Sequence, residues 1–157
     1  LQVGAHIATA AGYRGMVEGQ MRDLAAEGQH LDLDELRALH TLKTGKLLQA
    51  AVACGAMLAE ADDDALSAIE TYGRHIGLAF QVADDVLNVT GDPEKMGKAV
   101  GTDADRQKNT YPALLGLDES IAYARRLVDE ALQAIATFDG KADPLRAIAR
   151  YIVDRNR

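Results

Sequence analysis

Apolar residues recur at helical spacing along most of the chain, and the periodic runs break at glycine, aspartate and proline. Val3, Ile7, Ala11, Met16 and Met21 predict one helix from Leu1 to about Glu27, stopped by Gly28. Leu36, Leu39, Leu42, Leu47 and Leu48 predict a second, capped by Asp32 or Asp34 and running to about Glu60. Lys43, Thr44 and Gly45 interrupt it. Glycine inside a helix costs roughly 1 kcal/mol relative to alanine, so a bend is expected there, with freed carbonyls able to face a ligand. A third helix is predicted from about Ala65 through Val89, with Asp62, Asp63 and Asp64 as cap and first turn and Gly91-Asp92-Pro93 as its end. Gly73 and Gly77 predict close packing of this helix on a neighbour. Residues 97–112, rich in Gly, Lys and Asp, predict a long functional loop. Three more helices follow: a short one over 113–117, one from about Asp118 to Phe138, and one from about Pro144 to Arg155.

The third helix carries two seams. Ile76, Phe80, Ala83 and Leu87 fall on one face, while Gln81, Asp84 and Asn88 form a neighbouring polar stripe with Asp85 beside it. An unpaired buried carboxylate costs far more than helix propensity returns, so this acidic stripe is expected to face water, cations or a metal.

Composition narrows the class. The 157 residues are 48% hydrophobic and only 4% aromatic, with no Trp and three Pro, which favours a helical fold with a core sufficient for one domain. A formal net charge of −7 argues against a nucleic-acid-binding surface. Cys54 has no partner for a disulfide or a metal pair and reads as a small buried side chain in a reducing, cytoplasmic compartment. Charged or small residues break every apolar run before about 18 residues, so no membrane span is expected. Leu1 opens directly into an apolar helical pattern, so the chain is expected to begin within a domain.

Several kinds of chemistry lack their signatures. The GxSxG, GxxxxGK[ST] and HExxH patterns are absent, and His6, His30, His40 and His75 stand at no metal-ligand spacing. Mg²⁺ suits what remains: it takes oxygen ligands and is commonly held by one or two carboxylates while substrate phosphates and water complete the octahedron. Asp84, Asp85 and Asn88 match that sparse supply. Lys43, Lys98 and Lys108 add the separate positive charges that a polyphosphate requires. Taken alone, Lys43 also reads as a surface lysine beside a bend, and Gln20 with Asp23, three apart, as a solvated face.

The segments GQMRDL (19–24), LHTLKTGKL (39–47), GLAFQVADDVLNVTGD (77–92), GKAVGTD (97–103) and KNTYPALLGL (108–117), in this order and spacing, resemble the C-terminal half of the trans-isoprenyl diphosphate synthases. The terminal YIVDRNR fits the same group. The resemblance implies an all-α isoprenoid synthase bundle, usually homodimeric, that joins an allylic diphosphate to isopentenyl diphosphate with Mg²⁺. It implies that Asp84 and Asp85, with Asn88, hold Mg²⁺ as the second aspartate-rich motif. Lys43 and Lys98 would neutralise the departing diphosphate, with Lys108 a weaker contact. Thr44 and Gln81 would lie beside the developing allylic cation, Gln20 and Asp23 would stand behind them, and Arg155 or Arg157 would belong to a lid.

Two departures accompany it. Asn88 stands where the motif DDxxD ends in aspartate, offering an amide oxygen without charge. The first aspartate-rich motif and the basic residues for isopentenyl diphosphate find no match, so this chain is expected to need an N-terminal half for the full reaction. A longer-chain synthase, a terpene cyclase, a non-catalytic subunit or diphosphate-binding module, and a plain helical scaffold are the alternatives.

Overall fold

The computed structural model describes residues 1–90 and 109–155, and among these the regular structure is helical throughout. The predicted first helix is two: α1 (Gln2–Ala11) and α2 (Met16–Ala25). Glycine is the reason. Gly12 leaves the helix with extended ψ, and at Gly15 the chain presses on the Ala10 carbonyl so closely that any Cβ would overlap it. Helical periodicity persists across this corner, which is why the apolar spacing alone conceals it.

The second predicted helix is α3 (Leu33–His40), a π-helical turn (Thr41–Gly45) and α4 (Lys46–Leu58). Asp32 is the cap: its Oδ1 accepts the Glu35 N–H at 2.9 Å, and Glu35 Oε2 accepts the Asp32 N–H at 2.9 Å. At Lys43-Thr44-Gly45, where a bend is expected, the structure has this π turn, in which the Lys46 N–H reaches back five residues to the Thr41 carbonyl. The helix therefore swells here and continues.

Helix α5 (Asp63–Thr90) is the axis of the fold, with Asp62 Oδ1 accepting the Ala65 N–H at 2.8 Å as its cap. It packs on α7 (Leu117–Ala134) on one side and on α4 and the π turn on the other. Ile69, Ile76, Ala79 and Val82 bury against Leu127, Val128, Ala131 and Ile135, while Ala149 and Ile152 of α8 (Asp143–Asp154) close the core. The short α6 (Tyr111–Leu115) begins earlier than its proline suggests, because the Thr110 hydroxyl caps it by accepting the Ala113 N–H at 3.3 Å. Helix α7 stops at Ala134, short of Phe138. Arg146 of α8 explains this by donating to the carbonyls of Ile135, Phe138 and Asp139 at 3.1, 2.6 and 3.0 Å. Among the described residues no helix is long and apolar enough to cross a membrane.

Gly73 and Gly77 do permit the close approach. A Cβ on Gly73 would stand 2.8 Å from Gln49 Cα, and one on Gly77 would stand 2.6 Å from Gly45 Cα. Backbone meets backbone, so no rotamer change can make room. Gly77→Ala is therefore expected to cost about 2 kcal/mol, in the range of core overpacking, read as a lower urea midpoint at unchanged slope. An effect within about 0.5 kcal/mol, the size of a neutral surface change, would contradict the packing.

His75 of α5 donates from Nδ1 to Glu130 of α7 at 3.0 Å. Burial lowers its pKa, and this outweighs the raising effect of Glu130, with Arg74 adding to the lowering. The folded protein thus binds its His75 proton less readily than the unfolded chain does. Stability is expected to be full above the ordinary histidine pKa of about 6.5 and to fall as pH drops below it. His75→Gln should flatten that part of a stability-versus-pH curve, which chemical denaturation at several pH values would read.

Candidate active site

Two close backbone approaches assemble the polar cluster. Gly77 seats α5 on the π turn at Gly45, and Gly19 seats α2 on the same turn from the other side, where a Cβ would overlap the Lys43 backbone. One helical turn beyond Gly19, Asp23 meets Lys43, Nζ to Oδ2 at 2.7 Å. One turn beyond Gly77, Gln81 meets Thr44, whose hydroxyl donates to Gln81 Oε1 at 3.1 Å. The π turn presents Lys43 to one helix and Thr44 to the other.

The contacts continue along α5. Gln81 Nε2 donates to Asp85 Oδ1 at 3.4 Å, and Asp85 Oδ2 accepts the Tyr111 backbone N–H at 3.1 Å. Thr44, Gln81, Asp85 and Tyr111 form one hydrogen-bonded run from the π turn to the start of α6. The polar stripe is consequently not uniform. Asp85 and Asn88 are buried, at 4% and 5% exposure, whereas the Asp84 side chain is 39% exposed. Of the two adjacent carboxylates, Asp84 is therefore the more exposed and Asp85 the buried one. Neutral donors at both Asp85 oxygens offset the desolvation of its charge.

Arg155 follows α8 and brings its guanidinium over the Phe80 ring at 4.4 Å and to 3.9 Å from Asp84 Oδ1. Phe80, expected only in the core seam, is half-buried beneath this cation. The Tyr111 ring is fully buried, 5.5 Å from His40 and 5.7 Å from Tyr123, and burial drives its hydroxyl pKa far above the ordinary value, followed by the effects of Tyr123 and Asp85.

The structure thus brings Asp23, Lys43, Thr44, Gln81, Asp84, Asp85 and Arg155 to one end of the bundle. Gln20 is exposed on α2. Lys98, Lys108 and Arg157 lie outside the described residues. Sequence reasoning missed Asn109 and Tyr111. The signal was available in a polar Asn-Thr pair just ahead of a helix-starting proline, which marks a capping segment. Among the described residues no group of three or more His, Cys, Asp or Glu side chains is gathered as a metal site. The oxygen set on α5 fits a metal that draws its other ligands from phosphate and water, the pattern Mg²⁺ accepts.

The described helices form an all-helical bundle, and residues 5–148 match the polyprenyl synthetase family. The chain belongs to that family. It is 44% identical over 155 residues to farnesyl diphosphate synthase of Escherichia coli, covering 96% of this chain and 52% of that protein. It is 46% identical over 157 residues to geranylgeranyl diphosphate synthase of Cyanophora paradoxa, covering 99% and 52%. A solved polyprenyl synthase of Caulobacter crescentus, complexed with calcium and isoprenyl diphosphate, superposes with a TM-score of 0.93 at 26% identity, covering all of this chain and 60% of that one. A geranyltransferase of Helicobacter pylori, complexed with magnesium and isoprenyl diphosphate, gives 0.81 at 30% identity, covering 98% and 50%. The chain spans about half the length of these curated relatives.

The two aspartates are expected to separate by stability. Asp85→Ala leaves the Tyr111 N–H without its buried acceptor and should cost about 1–3 kcal/mol. Asp84→Ala should stay within about 0.5 kcal/mol of the parent, as exposed positions do. Urea unfolding of both variants checks this, and equal losses would count against the assignment.

Proposed function

We propose that this chain is the C-terminal part of a short-chain trans-prenyltransferase of the farnesyl or geranyl diphosphate synthase kind, and that it carries the second Mg²⁺ and diphosphate half-site. The observation that carries the reading is the run Thr44–Gln81–Asp85 beside Lys43 and Asp84. It sets fixed neutral dipoles next to a cation and an exposed carboxylate.

The reaction that suits this arrangement breaks the allylic C–O bond, and the diphosphate leaves with the electron pair. The double bond of isopentenyl diphosphate then attacks the allylic carbon, and loss of a proton from the new cation restores an alkene. Asp84, Asp85 and Asn88 would hold the metal. Mg²⁺, when bound, supplies Lewis-acid stabilisation of charge on the departing diphosphate. Lys43 and Lys98 neutralise the same charge, and Lys108 makes a weaker contact. Asp23 fixes the Lys43 ammonium in place through their ion pair. The Thr44 and Gln81 oxygens face the developing carbocation, where preorganised dipoles act most strongly because they need no reorganisation.

Isoprenoid diphosphates are the proposed substrates and a cytoplasmic homodimer the proposed assembly, completed by an N-terminal half that contributes the first aspartate-rich motif. The relatives bound to isoprenyl diphosphate with calcium or magnesium support the ligand and the metal class. Coverage of about half of each relative, with one aspartate-rich motif, favours a second reading for this chain by itself: a diphosphate-binding module that does not turn over.

Calorimetry with pyrophosphate in the presence and absence of MgCl₂, alongside turnover with geranyl and isopentenyl diphosphates, tests both readings. Mg²⁺-dependent pyrophosphate binding without turnover is expected, weakened about 10-fold or more by Asp84→Ala or by Lys43→Ala, the scale of losing a charged ligand contact. Turnover by this chain alone would sink the half-site reading. Pyrophosphate affinity indifferent to Mg²⁺ and to Asp84→Ala would remove the proposed site.

A further inference from the structure

Asn109 joins segments that are far apart in sequence. Its Oδ1 accepts the Leu31 N–H at 2.9 Å, and its Nδ2 donates to the Gln29 carbonyl at 2.9 Å and to the Ala26 carbonyl at 3.5 Å. One amide side chain thereby satisfies three backbone groups of the link between α2 and α3. That link follows directly on the helix bearing Asp23 and precedes the helix that runs into Lys43 and Thr44. Two residues beyond Asn109, the Tyr111 N–H is the donor to Asp85 Oδ2. Between them Thr110 fixes the backbone by capping α6. The peptide 109–111 is thus held at both ends, by the α2–α3 link and by the central helix, with the buried Tyr111 ring as its anchor.

We infer that Asn109 is a positioning residue for the carboxylate pair, acting through the Tyr111 amide on Asp85. Asp85 is buried, so its orientation depends on the donors that face it, and one of these is a backbone N–H whose place is set by a side-chain clamp two residues away. Asp85 in turn holds Gln81, which holds Thr44. A clamp on the α2–α3 link thereby ties the metal-facing helix to the lysine-bearing turn. The inference rests on the proposed function for its consequence in ligand binding, and on the described hydrogen bonds alone for its structural part.

Asn109→Ala tests it with two readouts. Without ligand, amide hydrogen exchange at Tyr111 is expected to speed about tenfold or more while the Val82 amide, in the core of α5, stays protected, as local opening allows. With pyrophosphate as probe, the Mg²⁺ concentration for half-maximal binding is expected to rise about tenfold, the scale of losing an outer-shell partner. Affinity at saturating Mg²⁺ should change little. Adding Asn109→Ala to Asp85→Asn should raise the Mg²⁺ requirement no further, since the two act through one contact. Unchanged exchange at Tyr111, an equal loss of protection at Val82, or additive effects of the two substitutions would each overturn the inference. If the parent protein binds no Mg²⁺ and pyrophosphate, the functional reading fails, and the exchange measurement still decides whether Asn109 holds Tyr111.

Discussion

The contact between Gly77 and Gly45 governs the rest of the molecule. Two helical backbones meet there with no side chain between them, which fixes both the distance and the rotation of α5 relative to the π turn. Gln81 lies one turn further along α5 and reaches Thr44 only because of that approach. Gly19 repeats the device from the α2 side and brings Asp23 to Lys43. The polar cluster is seated by three glycines, none of which carries a functional group. Rigid elements of this kind suit a site whose dipoles must be in place before charge develops.

The π turn completes the arrangement. In an uninterrupted α-helix Lys43 and Thr44 would follow the ordinary rotation of about 100° per residue. From adjacent positions of the turn marked by the Lys46 to Thr41 hydrogen bond, the lysine faces α2 and the threonine faces α5. A cation and a neutral dipole are thereby delivered from neighbouring positions to separate parts of the site. That a glycine and a threonine interrupt an apolar helix was visible in the sequence, and the form of the interruption as a π turn was not. Propensity reports that a helix is strained at a position and carries no information on how the strain is resolved.

The same division runs through the whole comparison of sequence with structure. Long periodic segments such as 63–90 and 117–134 were legible because apolar residues recur at helical spacing along their length. The corner at Gly12 and Gly15 was not, since the helical period resumes in nearly the same phase after it. The start of α6 was misplaced because Thr110 caps ahead of the proline, and the end of α7 because Arg146 reaches back from another helix. Within the site, Asp84 and Asp85 were indistinguishable as adjacent carboxylates. Their environments separate them, because Asp85 points toward the N–H of a residue 26 positions away. Pairings across such separations follow from tertiary packing alone. Family resemblance supplied the likeness to an aspartate-rich motif, and the fold supplied the different surroundings of its two members.

The Arg146 clamp and the Asn109 clamp differ most in the length of chain each must close. Arg146 reaches a carbonyl 11 residues away, whereas Asn109 reaches Leu31 across 78 residues. By loop-closure entropy the second ring costs about 1.7 kcal/mol more to form from the unfolded chain. The C-terminal hairpin of α7 and α8 is therefore a local unit that can assemble from its own segment. The Asn109 contacts, in contrast, must be joined across about half of the chain. Sequence distance, as much as burial, sets the order in which this fold can be completed.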